Sequence, residues 1–265
     1  MNTMTPIQLY LEKSREITQT VSQQEEQIAA AAKWFSETIR AGRMVHLFAS
    51  GHSRMLIEEM WPRYGSFPGF NPIVELSLTF HNPVVGANGQ RQAMFLENTP
   101  GFAARILRNF DVTSEDCALV ISSSGCNIVP IEMAEIFQQR KIKVVALVTL
   151  AHATKSTSKR PDGKKLVDFA DLVLDTGAPA GDAMVHIEGL DTPVAPGSSL
   201  GGILIINCIK AEVARLLTRA GHPPKVLTAP AVVGEARAAE LFESAYDEHA
   251  HRLARLFEKI GKNSL

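Results

Sequence analysis

An unbroken apolar run, Cys117–Ile121, and a second, valine-rich apolar stretch, 143–150, flank a segment whose apolar side chains recur with helical spacing at Ile131, Met133, Ala134, Ile136 and Phe137. Runs of that length without polar alternation suit strands buried on both faces. Pro130 falls in the first turn of the intervening helix, where its missing N–H costs little. Strand, helix and strand in this order predict a right-handed crossover in a parallel sheet. The logic repeats along the chain. Residues 44–49 predict a first strand, 72–78 a second and 170–174 a fifth, with Asp175 at its end. Helices are predicted over 7–40, where Tyr10, Ile17, Val21, Ile28, Phe35 and Ile39 recur, over 55–60 and 95–110, and over 199–220 and 235–259. The expected fold is α/β: a three-layer αβα sandwich on a five-stranded parallel sheet, with extra N- and C-terminal helices. A long helix ahead of the first strand cannot be a crossover, so its apolar stripe must cover a sheet face or another subunit.

Polar turns leave three of these strands or lead into helices. The first is Ser50, Gly51, His52, Ser53 and Arg54; the second is Ser122, Ser123, Ser124, Gly125, Cys126 and Asn127; the third is Pro196, Gly197, Ser198 and Ser199. A turn that opens a helix offers unpaired N–H groups and the positive end of the helix dipole, which suits a phosphate. A serine N-cap with spare polar neighbours explains the same residues. In an open parallel sheet, ligands sit beyond the carboxyl ends of the strands where strand order reverses, so the first two turns are expected to face one crevice. Glu58 and Glu59 follow the first turn, and Glu97 precedes a predicted helix. Each glutamate suits either proton transfer or an ordinary surface or helix-end charge. The loop 151–165 carries Lys155, Lys159, Arg160, Lys164 and Lys165 and reads as a solvated face or as a lid for an anion, with His152 at the strand end. The segment after the second strand, with His81, Asn82, Gly86, Asn88 and Gly89, reads as a long polar loop. His46, inside the first strand, reads as a packing histidine.

Composition narrows the function. At 265 residues the chain suits one large α/β domain. Its net charge of −1, with both signs interspersed, offers nothing to attract nucleic acid or an anionic membrane. No apolar stretch approaches the ~20 residues of a membrane-spanning helix, and no basic-then-apolar leader is evident, so the expected location is the cytoplasm. Cys117, Cys126 and Cys208 lack metal-ligand spacing and read as reduced thiols, Cys117 and Cys208 in apolar runs and Cys126 in the second polar turn, without a nearby histidine to activate it. Scattered histidines point to no metal, and no cofactor is expected.

The Ser-x-Ser-Gly-x-Asn order after a buried strand, the Ser-Gly-His-Ser turn and the order of elements over 43–218 resemble the sugar isomerase (SIS) domain family, which includes the phosphoheptose isomerases. The resemblance extends to a group of stand-alone SIS proteins in which Gly-His-Ser, Gly-Asp-Ala and Pro-Gly-Ser-Ser recur. It implies a single SIS domain with a core over 43–220 and helical extensions at 1–42 and 221–265. It also implies a phosphorylated sugar as ligand and a homodimer or homotetramer. By resemblance, Ser53, Ser122, Ser124 and Asn127 hold the phosphate, Asn127 replacing the usual Ser or Thr. Ser50, Gly51, His52, Ser123, Ser198 and Ser199 complete the substrate site. Glu59, ahead of Arg63 and Tyr64, resembles a catalytic glutamate of the phosphoheptose isomerases, although the 53–59 interval is about one helical turn shorter. Glu97 and Asn98 stand nearest an Asn-Asp pair that lines that site. His186 and Glu188 fall where SIS enzymes carry a catalytic glutamate or histidine, in several cases supplied by a neighbouring subunit, with spacing unlike the phosphoheptose isomerase pattern. The implied activity is aldose–ketose isomerisation of a sugar phosphate through an enediol. The alternatives are a non-catalytic sugar-phosphate sensor and an amino-sugar-phosphate lyase or deaminase.

Overall fold

The computed structural model of the chain describes residues 4–79 and 90–258; the polar stretch containing His81, Asn82, Gly86, Asn88 and Gly89 lies outside them. Five strands, β1 (Val45–Ala49), β2 (Phe70–Ile73), β3 (Cys117–Ile121), β4 (Lys143–Val148) and β5 (Leu172–Asp175), form one parallel sheet in the order β2-β1-β3-β4-β5. The chain leaves β1 toward β2 on one side and later lays β3 on the other. Strand order therefore reverses between β1 and β3, and the expected crevice opens beyond their carboxyl ends. Ala49 pairs with Ile121, so Ser50 and Ser122 leave the sheet side by side.

The two faces of the sheet carry separate cores, as the period of two along each strand requires. Val45, Leu47, Ala49, Leu119, Ile121, Val145 and Leu147 pack on one face against α2 (Glu25–Arg40), α3 (Arg54–Met60) and α9 (Ser198–Arg219). Phe48, Val120, Val144, Ala146 and Val148 pack on the other against α6 (Phe102–Leu107) and α7 (Ile128–Gln139). The α2 part of the expected stripe, Ile28, Phe35 and Ile39, covers a sheet face.

Several boundaries differ from expectation for identifiable reasons. The helix predicted over 7–40 is two helices, α1 (Pro6–Ser22) and α2, because Gln24 turns its amide onto the backbone of Asp175, donating to its carbonyl and accepting from its N–H, both at 2.8 Å. This exchange satisfies the end of an edge strand, where main-chain groups would otherwise be unpaired. β2 starts at Phe70, not residue 72, and ends before α4 (Leu76–Thr79); Pro72 is tolerated because β2 is the sheet's other edge. The helix predicted over 95–110 is split into α5 (Gln90–Leu96) and α6 by Gly101, whose N–H donates to the Glu132 carboxylate. Leu150 belongs to a short helix, α8 (Leu150–Lys155), rather than to β4, and the basic loop begins after it. A small hairpin, β6 (Ala183–Val185) with β7 (Val194–Pro196), was not foreseen; Met184 and Val185 pack there against Ile17 of α1. Two further helices, α10 (Pro230–Val233) and α11 (Glu235–Arg255), close the chain, and Cys208 on α9 is exposed rather than in the core. No helix among the described residues is long and apolar enough to cross a membrane.

The amino ends of the strands are tied by a buried charge cluster. Arg43 donates to both oxygens of Asp116 at 2.9 and 2.8 Å, and the Thr113 N–H donates to the same carboxylate at 2.7 Å. His46, stacked on Phe137, approaches Asp116 at 3.4 Å and bonds Asn71 at 3.0 Å, so it is a packing histidine. Arg252 of α11 donates to the carbonyls of Ile39 and Arg43 at 3.1 and 2.9 Å, joining the C-terminal helix to this end. Burial alone would push the Asp116 carboxyl up, but the close approach of His46 and hydrogen bonds from Arg43 and the Thr113 N–H outweigh it and hold the group at about 2. An unfolded aspartate titrates near 3.9, so this stabilisation is complete above about pH 5 and is lost as the pH falls through about 4 to 2. Urea unfolding should register a loss of about 2–3 kcal/mol across that window. In Asp116→Asn the loss from this group should vanish, while stability at pH 7 drops by about 3–5 kcal/mol because Arg43 is left unpaired. An unchanged acid slope in that variant would exclude Asp116 as its source.

Candidate functional site

The carboxyl ends of β1 and β3 open into a crevice of about 200 Å³. Ser50, Gly51, His52 and Ser53 line it from the turn after β1, and Ser122, Ser123 and Ser124 from the turn after β3. Thr176, Asp182, Ser198 and Ser199 close one side, and Gln90, Met94 and Glu97 the other. The β3 turn is wound tightly: the Gly125 N–H donates to the Ser122 carbonyl at 3.1 Å and to its hydroxyl oxygen at 3.2 Å. That closure needs a left-handed residue, and Gly125 has φ +61°. The Cys126 N–H donates to the Ser124 hydroxyl at 3.3 Å. The Ser122 and Ser124 hydroxyls thus act as acceptors within the turn, leaving their own hydrogens to donate to an anion. Ser123 points sideways instead, donating to Thr149, which bonds Thr176 at 2.7 Å. This hydroxyl chain holds the ends of β3, β4 and β5 at fixed spacing.

Glu97 hangs over the same crevice from the segment between α5 and α6. The Ser50 hydroxyl donates to one carboxylate oxygen at 2.5 Å, and the Asn127 amide to the other at 2.8 Å. Burial pushes the Glu97 carboxyl up, and these two hydrogen bonds oppose but do not cancel it. Asn127 is therefore committed to the carboxylate rather than turned freely toward a phosphate. Asp182, which follows β5, caps α9: it accepts from the N–H groups of Gly197 and Ser198 at 3.0 and 2.6 Å and from the Ser198 hydroxyl at 2.8 Å.

Comparison with known proteins bears on this arrangement. The family model described as the SIS domain matches residues 9–149. The chain belongs to the SIS-domain family. SIS domains bind phosphosugars. A UPF0309 protein of Halalkalibacterium halodurans is 32% identical over 83% of this chain and 89% of its own length. A UPF0309 protein of Oceanobacillus iheyensis is 32% identical over 92% of this chain and 98% of its own. Among solved structures, a phosphoheptose isomerase from Francisella tularensis aligns with a TM-score of 0.50 at 17% identity, covering 80% of this chain and 100% of its own, a likeness of fold.

Not every residue singled out in the sequence lies in the crevice of this SIS domain. Glu59 lines a separate groove with Met55, Tyr64 and Tyr246. It accepts from Arg63 and from Asn207, and the buried Lys210 donates to its main-chain carbonyl at 2.7 Å. Burial would raise its carboxyl, but Asn207, Arg63 and Lys210 bring it below the usual range. His186 and Glu188 are exposed near the β6–β7 hairpin and do not line the crevice. His152 accepts the Gly181 N–H at 2.9 Å and so braces the Asp182 loop. Burial pushes the Cys126 thiol up, and it donates to the Ser124 carbonyl. In the basic loop, Arg160 pairs with Glu135 and Asp162, and Lys165 donates to the Ala153 carbonyl. Among the described residues, no group of histidine, cysteine, aspartate and glutamate has the arrangement of a metal site. Sequence reading missed Asp182 and Thr176 as lining residues, since Asp182 caps a helix about fifteen positions away and no local spacing signals that. Because the Asn127 amide favours the charged form of Glu97, Asn127→Ala should move the Glu97 titration further upward. A ¹³C NMR titration of the carboxyl carbon checks this, and an unchanged or lower midpoint would contradict the coupling.

Proposed function

We propose that this protein binds a sugar phosphate in the β1/β3 crevice and interconverts its aldose and ketose forms through an enediol. The observation that supports this most directly is a half-buried carboxylate of raised pKa, Glu97, beside a hydroxyl-rich turn at the N-terminus of α7. In this reading the Ser122 and Ser124 hydroxyls and nearby main-chain N–H groups hold the phosphate, assisted by the α7 dipole. Anchoring that remote group orients the carbonyl end against Glu97. Ionised Glu97 takes the proton from the hydroxyl-bearing carbon next to the carbonyl, and the electron pair moves onto the carbonyl oxygen to give an enediolate, which a proton from solvent completes as the enediol. The neighbouring hydroxyl then gives its proton back to solvent as the new carbonyl forms, and Glu97 returns its proton to the former carbonyl carbon. The reaction is redox neutral and consumes nothing, so it calls for no cofactor. Ser50 and Asn127 orient the carboxylate. Glu59, already ion-paired and of lowered pKa, is a poorer base, and its role is to join α3 to α9. His186 and Glu188 take part only if a second copy of the chain presents them to the crevice.

Thermal unfolding against a panel of sugar phosphates and their unphosphorylated parents tests the ligand class. A ligand at a hundredfold excess over its dissociation constant should stabilise by about 2.7 kcal/mol, and only phosphorylated members should act. Ser124→Ala should weaken binding by about 10- to 100-fold, the usual cost of losing a hydrogen bond to a charged group. The absence of any phosphate-dependent shift would sink the reading. Glu97→Gln should lower kcat by about 10²- to 10⁴-fold with little change in binding, whereas Glu59→Gln should lower Tm and leave kcat within a few-fold. The reverse pattern would transfer the base to Glu59, and stabilisation without turnover in the wild type would point to a sensor.

A further inference from the structure

The crevice holds two carboxylates, Glu97 and Asp182, and no lysine or arginine lines it among the described residues. The proposed chemistry uses Glu97 and leaves Asp182 unexplained. From the sequence, Gly197, Ser198 and Ser199 at the head of α9 are an inviting anion site, but Asp182 already occupies it with three hydrogen bonds. A full negative charge there complements the α9 dipole and repels a second anion. A phosphate is thereby directed to the β3 turn and away from α9.

A carboxylate offers about four acceptor positions. On Asp182, Oδ1 takes two N–H groups and Oδ2 takes the Ser198 hydroxyl, so one position remains, on Oδ2. We infer that Asp182 is a specificity residue whose remaining acceptor position takes a hydrogen-bond donor, a hydroxyl or an ammonium, on the sugar end of the ligand. The inference rests on the sugar-phosphate reading above and assigns the ligand's direction in the crevice: phosphate on Ser122 and Ser124, donor-bearing carbons toward α9.

The group is held in advance of binding. Asp182 adopts a left-handed backbone, φ 72°, a conformation that aspartate takes more readily than most non-glycine residues and that is held here from both sides. The brace is the Gly181 N–H on His152 at one side and the Gly197 N–H on the Asp182 carbonyl, 3.1 Å, at the other. α9 lies close against the end of β5: a Cβ at Gly201 would lie 1.8 Å from the Thr176 carbonyl oxygen. A carboxylate fixed in this way meets a ligand without losing further side-chain freedom.

The test is titration calorimetry of the wild type and Asp182→Asn with five probes: inorganic phosphate, ribulose 5-phosphate, fructose 6-phosphate, sedoheptulose 7-phosphate and glucosamine 6-phosphate. The asparagine retains an Oδ1 that accepts from Gly197 and Ser198, so the unliganded Tm should move by only a few degrees. It replaces the free acceptor by an N–H donor. At least one sugar phosphate should bind the wild type more tightly than inorganic phosphate does, and Asp182→Asn should weaken that probe by about 10- to 100-fold. Inorganic phosphate should bind both proteins alike. The largest loss falls on glucosamine 6-phosphate if the donor is an ammonium, and on the neutral sugars if it is a hydroxyl. Equal loss for inorganic phosphate and the sugar phosphates would overturn the inference, as would no loss for any probe or a wild type that prefers no sugar phosphate to inorganic phosphate. Failure of the sugar-phosphate reading is distinct, because no phosphorylated probe would then bind the wild type at all.

Discussion

The in-register parallel pairing of β1 with β3 is the constraint on which the rest of this molecule depends. With Ala49 opposite Ile121, the two strands end at the same height, and the chain must leave both in polar turns that face each other. Both strands are buried on both faces, so a slip of one residue would turn each side chain toward the wrong one of the two cores and spoil the packing of both. The same burial that stabilises the sheet therefore sets Ser50 and Ser122 side by side.

The two ends of the sheet are built on opposite electrostatic principles. At the amino ends, Asp116 is enclosed by Arg43, His46 and the Thr113 N–H, so a buried charge is fully compensated and serves as a fastening. At the carboxyl ends, Glu97 accepts from two neutral donors among the described residues, Ser50 and Asn127, and burial still raises its carboxyl. That difference separates a carboxylate that holds the fold together from one whose proton affinity lies closer to neutrality. Glu59 belongs with the first kind, since Arg63, Asn207 and Lys210 already saturate its surroundings.

Helix α9 connects these arrangements. Its apolar face, with Ile205, Ile209 and Val213, builds one core, while its first turn closes the crevice. Gly201 and Gly202 let that turn approach Thr176 and Leu56 closely. With Asp182 on its N-terminus, the helix contributes a fixed acceptor to the crevice instead of an open anion site. The polarity of the crevice, phosphate-friendly at α7 and acidic at α9, thus follows from which helix head is already capped.

Much of this was legible in the linear pattern. The apolar runs at 117–121 and 143–150 marked buried strands, because a strand covered on both faces can carry few polar side chains. The Ser-x-Ser-Gly-x-Asn order marked a turn, because φ > 0 at Gly125 and a helix start at Ile128 are local requirements. By contrast, the break at Gln24, the hairpin at 183–196, the capture of Asn127 by Glu97 and the seating of Asp182 on α9 each join residues far apart in sequence, or answer to such a contact. Local patterns report the backbone conformation a segment favours and the face it buries. Which carboxylate is desolvated, and which is neutralised by a cation, depends on what the folded chain packs around it. The chain's own order therefore determined the sheet and its polar turns, while tertiary packing alone decided that Glu97 and Asp182, rather than Glu59, share the crevice with the serines.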